Sequence, residues 1–384
     1  MAQPGLFTRN YTLVCLANFF FWAGIYCFLG SVALYVIQLG GTAFEAGLAT
    51  GAVPLTSFFT QVAFARVIAR WPRARVLAAA PVTLLVGVAI AGAASSPLLL
   101  VVASCILGTG YTTFQTAATT LAADVTPPAR RGEALGVYGS FTTVSLAIGP
   151  ALGIGLLTGL GPWAALLAGA ALGTVATALG LAVREPARRE APASGQPAKL
   201  DPIIYFCMFV NAGMTFTHGA LVALLPLYAR SIGMENPGLF YTVFAIAAVG
   251  IRTCAGRLSD RLGRIQVLVP ATALLAFALW SIAAGPPPVA LLAIAVVYAV
   301  GYASLHPTNL AFAVDRAPTA DRPLALGIVN SGFALGMGTG AIGMGALLGA
   351  TSFAATFAVA GLIPLGATSA FLVRYAIHRP PRIS

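Results

Sequence analysis

The chain has 384 residues, of which 59% are hydrophobic and only 8% charged, with a mean hydropathy of +0.90. Too few polar residues are present to clothe a water-soluble surface of ordinary polarity, so a lipid bilayer must be the solvent. The formal charge of +11 does not mark a nucleic-acid binder: the arginines stand singly or in small groups between apolar runs, with no basic stripe and no interleaved aromatics.

Apolar runs of about 20 residues predict twelve transmembrane helices, over 12–34, 44–65, 76–94, 97–121, 134–158, 162–183, 203–228, 238–256, 266–284, 289–313, 325–348 and 352–373. Residues 184–202 are too polar and Pro-rich to span. They read as a cytoplasmic linker between an N-terminal six-helix bundle (1–183) and a C-terminal one (203–384). The other breaks are tight turns, at Gly40-Gly41, Ser95-Ser96-Pro97, Gly161-Pro162 and Gly285 with its three following prolines. The expected fold class is therefore an all-α polytopic membrane protein.

Shifted by 191 residues, the second half repeats the first. Gly110-Tyr111 falls on Gly301-Tyr302, Asp124 on Asp315, Arg131 on Arg322, Leu135-Gly136 on Leu326-Gly327 and Ser140 on Ser331. Duplication of a bundle is characteristic of secondary transporters. With both termini cytoplasmic, 20 of the 21 basic residues fall on the inner side and Arg230 alone lies outside, the asymmetry expected of a positive-inside topology. The N-terminal tail leads into a full-length span, so no cleaved signal is expected. Cys15, Cys27, Cys105, Cys207 and Cys254 all fall within spans and read as small apolar packing residues, without metal-ligand spacing.

Between the eighth and ninth spans the chain reads Gly256-Arg257-Leu258-Ser259-Asp260-Arg261-Leu262-Gly263-Arg264. This resembles the G-x-x-x-D-R-x-G-R signature of the Major Facilitator Superfamily, at one of that family's two sites for it. The resemblance implies two pseudo-symmetric bundles of six helices and a conformational gate at Gly256, Arg257, Asp260, Arg261, Gly263 and Arg264. Asp260 is expected to pair across the seam between the halves with Arg130 or Arg131. The first-half copy has decayed: Arg66, Arg70 and Arg73 match the arginines, but Ala69 replaces the aspartate and Pro72 the second glycine. In the fifth span, Gly139 followed by Gly149-Pro150-Ala151-Leu152-Gly153 is similar to the helix-packing pattern of the superfamily's exporters, with glycines for close approach and proline for a kink. Helix by helix the chain looks most like bacterial sugar- and drug-efflux branches.

In that fold the first, fourth, seventh and tenth spans line a central cavity. Those spans offer Asn18, Trp22 and Tyr26; Tyr111 and Gln115; Asn211, Thr215 and His218; and Tyr302, His306 and Asn309, each set spaced by three or four so as to share a face. Tyr138 and Asn330 in the fifth and eleventh spans complete the expected lining. Asparagines in such positions serve equally as interhelical glue, and Arg252 reads as a side chain that snorkels to the cytoplasmic interface. No carboxylate falls mid-span, so a buried acid relay is not expected; His218, His306 and the outer Glu45 are the candidates for proton coupling.

No nucleophile–base pair, metal cluster or nucleotide loop is offered, so neither an enzyme nor a cofactor is expected. The function expected is export of a small neutral or amphipathic organic solute by a monomer in the bilayer, with protons as the candidate coupling ion. The alternatives are an uptake permease or uncoupled facilitator and, more remotely, a membrane sensor on a transporter scaffold. The topology has a direct check in a cysteine-free background: a cysteine at Ser95 should react with an impermeant reagent in intact cells and one at Ser194 should not. Equal labelling of the two would contradict the orientation.

Overall fold

A computed structural model describes residues 7–127, 130–184, 200–318 and 321–377, with residues 62–70, 131, 132, 253, 256 and 323 described by backbone alone. All regular structure among them is helical: α1 (Arg9–Gln38), α2 (Ala43–Arg70), α3 (Arg73–Ala79), α4 (Val82–Gly92), α5 (Pro97–Asp124), α6 (Arg131–Leu160), α7 (Pro162–Leu181), α8 (Ile203–Ser231), α9 (Gly238–Leu262), α10 (Arg264–Ala283), α11 (Pro288–Arg316), α12 (Arg322–Ala350) and α13 (Phe353–Ile377). Ten helical segments among the described residues are long and apolar enough to cross a membrane. The helices α2 and α9, 28 and 25 residues long, run among them.

Local chemistry sets the ends. Thr8 caps α1 by accepting from the Tyr11 amide at 3.3 Å. At the start of α2, Glu45 accepts from the Thr42 amide at 2.7 Å while its own amide donates to Thr42 Oγ1 at 3.2 Å, a reciprocal capping box. Prolines open α5, α7 and α11, where a missing N–H costs nothing. The third predicted span is realised in two pieces, α3 and α4, parted at Ala80-Pro81, and together they make one crossing, Arg73–Gly92. Gly263 shows why the motif between α9 and α10 needs glycine: it joins the two helices with φ +102, a left-handed value. Pro72, its first-half counterpart, has φ −58, so that turn has a different shape.

Polar contacts establish a common face for the helix ends. Asn10 Nδ2 donates to the Arg184 carbonyl at 3.1 Å, placing the start of α1 beside the end of α7, and Arg316 pairs with Asp201 at 3.7 Å, placing the end of α11 beside the start of α8. This basic face carries both termini of the helical body.

Within each half, one helix pair meets backbone to backbone through glycine. In the first, a Cβ on Gly149 would lie 2.5 Å from Tyr26 Cβ, and Gly153 abuts Cys27 of α1. Across the pair, a Cβ on Gly30 would lie 2.7 Å from Pro150 Cα. In the second half Gly332, Gly336 and Gly340 of α12 abut Met208, Ala212 and Phe216 of α8, four residues apart on each helix. Gly139, expected to belong to the packing motif, does not pack: a Cβ there would meet nothing within 4 Å. It sits toward the basic end of α6, where no neighbouring helix comes close.

The glycine contacts between the halves lie toward the opposite face. Gly47 and Gly51 of α2 press on Gly338, Ala341 and Gly345 of α12; a Cβ on Gly51 would lie 2.6 Å from the Gly338 carbonyl oxygen. Between α6 and α9, Thr242 Oγ1 donates to the Ala147 carbonyl at 2.6 Å and Asn236 Nδ2 to Ala151 at 3.4 Å. Toward the basic face a Cβ on Gly136, Gly250 or Gly327 would meet nothing within 4 Å. The glycine contacts thus hold the halves together at the face opposite the basic one, and the exposed Arg252 on the basic side of the seam marks a cleft between them. Overpacking such a contact costs about 1–3 kcal/mol, which moves a two-state population by roughly 5- to 150-fold. Gly51→Leu should therefore raise the reactivity of a single cysteine at Tyr26 toward an impermeant reagent applied from the sealed side; unchanged reactivity in a folded variant would mean the glycines are not the seal.

Candidate functional site

The cleft is walled by aromatic rings drawn from both halves. Trp22 of α1 meets Tyr111 of α5 edge-on with centroids 4.6 Å apart and lies 5.5 Å from Tyr26. Behind them Phe21 stacks on Phe114 at 4.0 Å. From the second half, Tyr302 of α11 is within electrostatic range of Tyr26 and Tyr111, so the symmetry mates Tyr111 and Tyr302 do face one centre. Tyr302 also packs at 5.8 Å on Tyr298 and at 5.6 Å on Phe244. His218 is wedged into this cluster, 5.0 Å from Tyr302 and 5.6 Å from Phe244. Gln115 and Asn330 are exposed, and His306 is half-buried, 6.3 Å from the Phe333 ring.

Arg252 is the residue that the sequence reading set aside. It stands about 21 Å along α9 from Gly238 at ordinary helical rise, is exposed, and reaches across the seam to Thr143 Oγ1 of α6 at 3.4 Å. It lies in electrostatic range of Tyr26, Tyr302 and His306. It therefore faces the cleft, and its place as a lone charge inside the run 238–256 was the available signal. Phe244 and Tyr298 were also missed, because aromatic residues in an apolar run carry no mark of the face they occupy.

Four expected lining residues are instead held inside the walls. Asn18 donates to the Tyr138 carbonyl at 3.2 Å and to Thr142 Oγ1 at 2.8 Å; Asn211 donates to the Val329 carbonyl at 2.8 Å. Their acceptors are exact repeat mates, 191 residues apart, so both halves tie their first and fifth crossings together at the same place. Asn309 donates to Cys207 of α8 at 2.8 Å, and Thr215 bonds the carbonyls of Asn211 and Gly332 at 2.9 and 3.3 Å. All four are buried. The carbonyl of Tyr138 serves as acceptor while its side chain is buried in the first-half core. Glu45 is accounted for by its capping box.

At the basic face the gate residues form two matched ion pairs. Arg73 pairs with Asp124 in the first half, and Arg264 with Asp315 at 3.1 Å in the second; both partners are offset by 191. Asp260 does not cross the seam to Arg130 or Arg131 as expected. It pairs with Arg264 of its own motif, while Arg130 engages Glu133 at 2.8 Å. With the cleft open on this face, the neighbour within its own turn is the partner in reach. Arg257 and Arg261 are exposed, and the side chains of Arg131 and Gly256 lie outside the described residues. Among the described residues no cluster of three His, Cys, Asp or Glu side chains could hold a metal ion. A separate apolar groove of about 610 Å³ between α8, α12 and α13, walled by Phe206, Phe209 and Phe216, shares none of the cleft's polar groups.

A sequence profile of the Major Facilitator Superfamily matches residues 14–251 and again residues 204–384. The chain belongs to the Major Facilitator Superfamily. It is 26% identical over 259 residues to a staphylopine export protein of Staphylococcus aureus, an alignment covering 62% of this chain and 64% of that protein. The chain thus matches less than two thirds of that relative's length. In fold it is similar to a peptide transporter of the POT family (TM-score 0.78, 13% identity, 97% of this chain and 98% of the other). The nucleoside transporter NupG is also alike in fold (TM-score 0.74, 14% identity, 96% and 99%). So is a bacterial homologue of the lysosomal transporter Spinster, solved inward-facing and unoccupied (TM-score 0.74, 16% identity, 98% and 96%). The protein is a membrane transporter of this superfamily.

The matched ion pairs are not equal. Asp124 is 17% exposed and Asp315 56% exposed, and Arg264 has a second acid in Asp260. Asp124→Asn should therefore cost the transporter about 1–2 kcal/mol more stability than Asp315→Asn, read as the larger fall in detergent melting temperature. Equal falls would show that the pairs carry the same weight.

Proposed function

We propose that this transporter exports a small organic solute across the cytoplasmic membrane by alternating access, as a monomer of twelve crossings with both termini in the cytoplasm. The observation that carries the reading is the asymmetry of the seam. Glycine contacts between the halves lie on one face, and none of the described glycines makes such a contact on the arginine-rich face, which positive-inside bias assigns to the cytoplasm. A cleft open there, walled by Trp22, Tyr26, Tyr111 and Tyr302, is poised to take its cargo from the cytoplasm. Rocking of the halves about that centre would release it on the other side. The S. aureus relative is named as an export protein, and Gly149-Pro150 packs α6 on α1 as the exporter pattern requires.

An uptake permease or uncoupled facilitator is the second reading, favoured by the placement of the acids: every carboxylate among the described residues stands at a helix end or in a connecting segment. Proton coupling would then fall to His218, which packs on Tyr302 and Phe244, or to His306, which faces Arg252. Inverted membrane vesicles separate these readings. With a panel of small organic solutes, exporter activity appears as accumulation inside inverted vesicles, abolished by Tyr111→Ala with Tyr302→Ala. Accumulation that collapses with the proton gradient and is lost in the His218→Gln, His306→Gln double variant assigns coupling to the histidines. Accumulation only in right-side-out vesicles would overturn the export reading.

A further inference from the structure

Arg252 is a full charge set in the membrane-embedded body without a counter-charge. Its recorded partner is the neutral Thr143 hydroxyl at 3.4 Å. None of the ion pairs among the described residues includes it, and no carboxylate among them falls in the middle of a helix. Such a cation is tolerable while the cleft is filled with water. When the halves close, water leaves and an unpaired guanidinium becomes costly. A second observation points to the same place. Trp22 is 2% exposed, yet its indole Nε1–H has no hydrogen-bond partner, and its ring neighbour Tyr26 lies in electrostatic range of Arg252. A buried donor with nothing to receive it thus stands beside the unpaired cation.

From this geometry we infer that Arg252 is the anion-binding residue of the cleft and that the cargo is a small organic anion, a carboxylate on an aromatic or apolar body. The planar guanidinium matches a carboxylate with two parallel N–H···O bonds, the rings of Trp22, Tyr26, Tyr111 and Tyr302 receive the body, and the cargo supplies the counter-charge that lets the cleft close. The inference rests on the transport reading and narrows it: a neutral cargo leaves Arg252 unpaired at closure.

Purified protein in detergent tests it with three molecules of one skeleton, 3-phenylpropionate, 3-phenylpropionamide and 3-phenylpropylamine, whose binding is followed by tryptophan fluorescence. The carboxylate should bind at least about tenfold more tightly than the amide, the amine more weakly than either, and the carboxylate's advantage should shrink in high salt. Arg252→Gln should erase the preference, and Arg252→Lys should keep part of it. Equal binding of carboxylate and amide by the unaltered protein, or no carboxylate binding, would overturn the inference without any variant having to fold. Vesicle flux keeps the two readings apart. Neutral solutes carried by the unaltered protein as fast as the carboxylate, and equally fast by the Arg252→Gln variant, would leave transport standing and sink the anion site. Carboxylate preference without flux of any solute would do the reverse.

Discussion

Hydrocarbon cannot hydrogen-bond, and that constraint governs every polar group in this chain. A donor inside the bilayer must find an acceptor in the protein, or lie where water enters. Asn18, Asn211, Asn309 and Thr215 take the first course, each donating to a backbone carbonyl of a neighbouring helix. Tyr138 and Val329, the acceptors for Asn18 and Asn211, are repeat mates, so each half ties its first crossing to its fifth at the same level. Arg252 takes the second course, and this is why the cleft and the charge occur together.

Without a hydrophobic force between helices, association in lipid relies on close packing. Glycine therefore does two jobs here. Inside each half it brings α6 onto α1 and α12 onto α8, while between the halves Gly47, Gly51, Gly338 and Gly345 make a seal in which backbone meets backbone beside the side chains of Leu55 and Ile342. A contact of that kind releases as a unit. The matched pairs Arg73–Asp124 and Arg264–Asp315 work at the other face, tying helix ends within each half so that each moves as one body.

Much of this was legible in the residues. Apolar runs placed the helices to within a few residues, and the 191-residue repeat gave the two halves and the facing tyrosines. The break at Ala80-Pro81 was not visible, because an apolar run continues through it. Nor could spacing alone say which faces turn inward: Asn18, Trp22 and Tyr26 share one stripe, yet Asn18 is consumed by α6 and the rings line the cleft. A stripe on one helix has no neighbour until the fold supplies it. The same limit applies to Asp260, whose partner depends on whether the halves touch, and to Arg252, which by its place near the end of an apolar run resembled an interfacial side chain. Gly139 failed as a packing residue for the same reason, since no neighbouring helix comes close to it.

All of this depends on two rigid halves exchanging a seal on one face for a seal on the other. Gly136 and Gly327 are repeat mates at the open ends of α6 and α12, with free space at each. Spin labels at these two positions, measured by pulsed electron resonance in lipid, read the opening directly. The account predicts a long separation in the resting protein and a distinctly shorter population once cargo is added. A single short distance at rest, or one that cargo leaves unchanged, would contradict it.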